Sequence, residues 1–253
     1  MNLWKSITPQ LASLKSRVLV PELLRFVKEE YNKRPSQANE ELLQVMLELF
    51  AQVNDAGSLH QQSAYTETIL NLLANKKPAL QKSALGCLLR HRRSAWHAYG
   101  QQLQSLCDPH QFRDQVRKFT LSTIEDTGIR RHVAPLYMRI IFGRLLTDQK
   151  QFSSAVFSAL AQCTEVEVQL FLDLILAPLK SLGDFSGSAD RILKSAEHLR
   201  KRMIDGEIRW GLLQALCNTI QHVLKYLAHK PGVNGPLLEF SLCLIALTYG
   251  ISQ

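Results

Sequence analysis

The sequence predicts an all-α protein, an open α-solenoid of roughly a dozen antiparallel helices, and three observations carry that expectation. Apolar residues recur at helical rather than strand spacing along nearly the whole chain. Turn-forming residues divide it into segments joined by connections short enough to force neighbours antiparallel. Two successive helices occupy about 35–45 residues, the size of a HEAT or armadillo unit. No sustained alternation rich in Val, Ile and Thr occurs, so no sheet is required.

Taken in order, Pro9, Pro21 and Pro35 read as turns or helix starts. Ser36 and Glu40 then supply a cap and an acidic first turn. Behind them Leu42, Leu43, Val45, Met46, Leu49, Phe50 and Val53 make one stripe of a helix. Gly57, Asn75 to Pro78, Ser94, Asp108-Pro109, Gly128, Thr147-Asp148 and Thr164 mark the next boundaries. Gly183 to Gly187 and the following Ser188 read as a flexible connector. Past Gly206, Leu212, Leu213, Leu216, Ile220, Val223, Leu224 and Leu227 repeat the stripe, and Gly232 to Pro236 end that helix. The helices between these marks are expected to run about 10–22 residues. Residues 1–253 are expected to form one continuous repeat segment.

The last stretch, from Gly235, is apolar around most of a helical circumference. A terminal repeat needs a polar outer face. Leu237, Leu242, Leu244, Ile245 and Leu247 are therefore expected to lie exposed, and the sequence reads as part of a longer protein.

With 253 residues, 46% apolar and 21% charged, the chain can bury a core, which excludes wholesale disorder. Five cysteines with no CxxC speak against a disulfide framework or zinc module and for a reducing compartment. Cys87, Cys163, Cys217 and Cys243 sit among apolar residues as buried thiols do, while Cys107 adjoins Asp108, whose charge would raise its pKa. The first twenty residues lack the apolar core of a signal peptide, and no stretch is long enough to span a bilayer comfortably. A soluble intracellular chain is expected.

The net charge of +8 is unevenly spread. Residues 76–144 hold thirteen Lys and Arg against four acids, whereas the remainder holds seventeen against eighteen. Within that window Arg90-His91-Arg92-Arg93 ends one helix and Arg130-Arg131-His132 opens another. Lys76, Lys77, Arg90, Arg92, Arg93, Arg130 and Arg131 are the candidates for contact with RNA or an acidic partner, against the simpler reading of solvated helix ends. Trp96, Tyr99 and Phe119 are the aromatics expected to be exposed near them. Lys194, Arg200, Lys201 and Arg202 read as a solvated face.

No phosphate-cradling GxxxxGK[ST], no GxGxxG, HExxH or GxSxG occurs. His222 and His229, seven apart, share a helix face but lack further ligands at metal spacing. Neither catalysis nor a cofactor is expected.

Four ordered segments carry a resemblance. They are Lys77 to Leu89 (KPALQKSALGCLL), Leu103 to Gln115 (LQSLCDPHQFRDQ), His132 to Arg144 (HVAPLYMRIIFGR) and Glu167 to Pro178 (EVQLFLDLILAP). These resemble, in the same order, the DPxLQKLALxCIL, LxxLLDDKxFRDEL, HRxxLxPxLxRILYGR and EVQxFLDLLxxP stretches of the small-subunit processome component 20 family, also called DRIM. Gly86, Pro109 and Gln115 depart from those patterns. The resemblance implies a very long nucleolar HEAT-repeat scaffold without catalysis. Its implied partners are processome proteins and pre-ribosomal RNA or the U3 small nucleolar RNA, with no membrane and no small-molecule substrate. It implies a role in ribosomal RNA processing and small-subunit assembly in the nucleus. The reading set against it is a HEAT-repeat transport or adaptor protein holding cargo in a concave groove.

The third segment has packing logic of its own. Ile140, Ile141, Leu145 and Leu146 line an inner face, and Gly143 permits a neighbour's close approach. Arg139 and Arg144, five apart, do not share a face, and one is expected to pair with a carboxylate of the next repeat such as Asp114.

Overall fold

The computed structural model describes residues 2–34, 36–91, 95–147, 149–180, 189–205, 210–227, 229–230, 238, 241–242 and 245. No strand occurs among the described residues. The chain divides into two compact units, Met1–Val156 and Phe157–Gln253, with the division inside a helix, and the expected connector lies outside the described residues.

The first unit begins with three short helices, α1 (Asn2–Lys5), α2 (Pro9–Leu14) and α3 (Ser16–Arg25). The Thr8 hydroxyl accepts the Leu11 N–H, and Pro9 follows at the first helical position, where its missing N–H costs nothing. Pro21 corrects the expectation of a turn or helix start: it lies inside α3, where its missing N–H leaves the Arg17 carbonyl without its helical donor. A π-helical turn, Phe26–Tyr31, continues α3. Ser36 caps α4 (Gln37–Phe50) as expected, its hydroxyl accepting the Asn39 N–H at 3.2 Å. Leu43, Met46, Leu49, Phe50 and Val53 are buried, together with Leu47.

Next come α5 (Gln62–Leu73) and α6 (Pro78–Leu88), a hairpin closed by the four residues Ala74 to Lys77. A 3-10 turn (Ala95–Tyr99) leads to α7 (Gly100–Cys107), α8 (Phe112–Lys118) and the long α9 (Thr127–Thr147). At eight and seven residues, α7 and α8 are shorter than the sequence suggested, because Asp108-Pro109 stops one and extended backbone at Phe119 stops the other. α6 is packed against α4, α5 and α7, and α9 against α5 and α7. Burying a leucine or phenylalanine is worth about 1.5–3 kcal/mol, so side chains such as Leu43, Phe50, Tyr65, Leu85, Tyr137 and Ile141 supply the main cohesion.

α10 (Gln149–Ala161) contains the division. In the second unit, α11 (Glu165–Lys180) opens with a reciprocal capping box: Glu167 accepts the Thr164 N–H at 2.8 Å, and the Thr164 hydroxyl accepts the Glu167 N–H. α12 (Ala189–Ile204) and α13 (Trp210–Leu227) follow. Phe157 stacks on His222 and Tyr226 and meets Phe171 edge-on. Ile220, Val223 and Leu227 of the predicted stripe are buried. Leu238, Leu242 and Ile245 are helical and exposed, at i, i+4 and i+7, whereas Leu237, Leu244 and Leu247 lie outside the described residues. No helix among the described residues is long and apolar enough to cross a membrane.

Candidate nucleic-acid interface

The structure sorts the basic candidates onto two ends of α6. Lys76 and Lys77 precede its first turn. Asn75 shapes this loop twice over, its Oδ1 accepting the Lys77 N–H and its Nδ2 donating to the Tyr31 hydroxyl, at 2.9 and 2.7 Å. Lys77 Nζ lies 3.3 Å from Glu40, beside Glu41. The C-terminal end of α9 also arrives here, where the Thr147 hydroxyl donates to the Lys76 carbonyl at 2.6 Å.

Arg90 follows α6 at its other end, with about 16 Å of helix between. Its Nε donates to the Ala51 carbonyl at 2.5 Å, and the side chain is exposed. The ring of His91 meets Trp96 edge-on at 5.7 Å, and Trp96 Nε1 donates to the His132 carbonyl at 2.9 Å. Two basic segments forty residues apart in sequence are thus joined through one indole. Arg131 is exposed in the opening turns of α9 and Arg130 beside it is partly buried. Asp126 caps that helix by accepting the Ile129 N–H, and Asp55 accepts the Gly57 N–H. Both carboxylates are engaged in these turns, while Glu125 is exposed. Arg92 and Arg93 lie outside the described residues.

The aromatic expectation needs correction. Phe119 is buried, stacked on Tyr99 and edge-on to Tyr137, and Trp96 is partly buried. Hydrophobic packing claims these rings because α8 ends at Phe119 and turns it inward.

The inter-helix residues also sort differently from the sequence reading. A Cβ on Gly143 would stand 2.5 Å from the Asn75 carbonyl oxygen and collide with Gln81 Nε2, so the close approach expected at Gly143 is present. Gln81 is fully buried, and its Nε2 donates to the Leu73 carbonyl at 2.7 Å and the Ile140 carbonyl at 3.1 Å. One side-chain amide therefore ties α5 and α9 to α6. Sequence reasoning missed Gln81, although it lies with Ala84, Leu85 and Leu88 at i, i+3, i+4 and i+7, a polar residue on an apolar stripe.

Arg144 is 1% exposed, its guanidinium 5.8 and 5.5 Å from the ring centres of Phe112 and Phe152. Burial holds its pKa below the ordinary value. Arg139 donates to the Pro135 carbonyl, and burial lowers its pKa too. Among the described residues neither forms an ion pair with Asp114, which is exposed. Asp114 is two residues beyond Phe112 on α8, about 200° round the helix from the face that meets Arg144.

Cys87 and Cys107 are buried, and burial pushes both thiols up to about 12. At Cys107 the dominant cause is thus desolvation rather than Asp108. Cys163 is buried, Cys217 is exposed against expectation, and Cys243 lies outside the described residues. His222 and His229 do not share a helix, since α13 stops at Leu227. No group of three or more metal-ligating side chains occurs among the described residues. Lys194, Arg200 and Lys201 are exposed as a solvated face requires.

What the arrangement offers is cationic contact at two separated helix ends, with the nearby rings engaged in packing. The family model described as U3 small nucleolar RNA-associated protein 20, N-terminal, matches residues 37–249.

Proposed function

The chain belongs to the U3 small nucleolar RNA-associated protein 20 family, and from that premise we propose that it is a non-catalytic scaffold segment of the small-subunit processome. The match over residues 37–249 is the observation that carries this reading. In it, the helices stack as HEAT-like repeats and hold pre-ribosomal RNA, small nucleolar RNA and processome proteins in the nucleolus during small-subunit assembly. Arg90, Arg92, Arg93, Arg130 and Arg131 are the proposed RNA contacts, Lys76 and Lys77 are left to a protein partner, and Gly143 and Arg144 pack α9 against its neighbours. The basic window of residues 76–144 supports this reading, since a scaffold on RNA needs cations where a cargo receptor for basic ligands would need acids.

The test is capture of the tagged protein from nucleolar extract. U3 small nucleolar RNA and precursors of the small-subunit ribosomal RNA should be enriched over large-subunit precursors. Equal recovery of both precursor classes would refute the reading. Depletion should also lower mature small-subunit RNA while leaving large-subunit RNA unchanged.

A further inference from the structure

The two ends of α6 differ in what they leave available. At the Lys77 end the ammonium faces Glu40 with Glu41 alongside, so that end is close to neutral. At the Arg90 end Asp55, Glu125 and Asp126 keep their charge, Asp55 and Asp126 each accepting a backbone N–H of its own turn, but among the described residues none of them forms an ion pair with Arg90 or Arg131. Arg90 uses Nε on Ala51, which fixes the side chain and leaves the paired Nη edge for a second acceptor. Arg131 stands exposed across the Trp96 bridge. We propose that Arg90 and Arg131, held together by Trp96, form one surface for the phosphate backbone of double-helical RNA, and that Lys76 and Lys77 are not part of it.

The double helix is the partner these observations fit. Proteins that hold single strands present aromatic faces on which bases stack. Here Trp96 is engaged with His91 and His132, and Tyr99 with Phe119. Duplex RNA hides its bases and offers phosphates in a fixed geometry, which two guanidiniums on a rigid bridge can match. This inference rests on the processome reading for its choice of RNA, and on the structure for the residues.

The experiment measures binding of the whole chain to a fluorescent RNA duplex, and to a single strand of the same composition, at several salt concentrations. The protein should prefer the duplex. Each phosphate contact on a duplex adds about 0.9 to the salt slope, so Arg90→Ala with Arg131→Ala should flatten it by about 1.8 and weaken binding roughly 60-fold at 0.1 M salt. Lys76→Ala with Lys77→Ala should stay within about threefold of wild type, the residual effect of long-range charge. Because Arg90 also supports Ala51, Arg131→Glu alone serves as a second variant. It should weaken binding while leaving the circular dichroism melt in place. Trp96→Phe, which deletes the donor to His132, should flatten the slope by about one contact with an unchanged melt.

An equal loss from the lysine pair would overturn the surface, as would tighter binding of the single strand or no binding of the duplex. Displacement of the duplex by a glutamate peptide of equal charge would assign the surface to an acidic protein and overturn the choice of RNA. None of these results touches the processome role, which depends on capture with U3 RNA and can run through protein contacts. A chain that binds the duplex through Arg90 and Arg131 but is not captured with U3 RNA would overturn that role and leave the surface standing.

Discussion

Gly143→Ala sets two opposing effects against each other. Alanine favours a helix over glycine by about 1 kcal/mol, so on an exposed face the change would stabilise α9. At this site the new methyl meets the Asn75 carbonyl at 2.5 Å and the space of Gln81 Nε2. Overpacking of this kind costs about 2 kcal/mol. Moving the Gln81 amide also breaks its bonds to Leu73 and Ile140, each worth about 1 kcal/mol net. The balance is a destabilisation of about 3 kcal/mol. With a urea dependence near 2 kcal/mol per M, the midpoint of the first unit should fall by about 1.5 M. Its unfolding can be followed by hydrogen exchange at α6 and α9 amides. In a Gln81→Ala background part of the clash is gone, so the two changes should couple by about 2 kcal/mol. A Gly143→Ala protein as stable as wild type, or one equally destabilised with and without Gln81, would refute the reasoning.

Arg144→Met should be neutral or stabilising by about 1–2 kcal/mol in urea unfolding, since it keeps the length between Phe112 and Phe152 and removes a buried cation, whereas Arg144→Ala should cost about 2–4 kcal/mol through the cavity it leaves. The urea midpoint should hold above pH 7 and decline as pH falls below about 6.5, because burial keeps the His91 pKa under its ordinary value and the unfolded chain takes up the proton first. His91→Gln should make that decline shallower across the same window. Site-resolved alkylation of the native protein at pH 8 should modify Cys217 well before Cys87, Cys107 and Cys163, with protection of the buried three lost in denaturant.

The parts of this molecule legible in its sequence are those decided within a few residues. Ser36 could be read as a cap because its bond to Asn39 closes over three positions, and the Leu43 to Val53 stripe because burial follows the helical period. Gly143 was legible as a point of close approach, though not which atoms approach it. Asp114 was misjudged because a carboxylate near an arginine in sequence pattern says nothing of which face of α8 meets α9. Phe119 obeys a similar rule: its place in the basic window suggested exposure, but Tyr99 and Tyr137 come from elements that only the fold brings together. Among the basic candidates, composition located the charge, and only tertiary structure separated the Lys77 end from the Arg90 end.

The π-helical turn at Phe26–Tyr31 makes spacing matter more than chemistry in one stretch of the chain. Such a turn accommodates one residue more than an α-helical turn, and the Asn32 N–H reaches back to the Val27 carbonyl. Deleting a single residue there would close the turn to an ordinary helical one, and the residues beyond it would keep their face. A deletion earlier in α3 would instead rotate everything beyond it by about 100° and swing Tyr31 away from Asn75, the side chain that also orders the approach to α6. Replacing Lys28 or Glu29, both exposed, disturbs neither. Variation in length is open to this one turn and closed to the helix that leads into it.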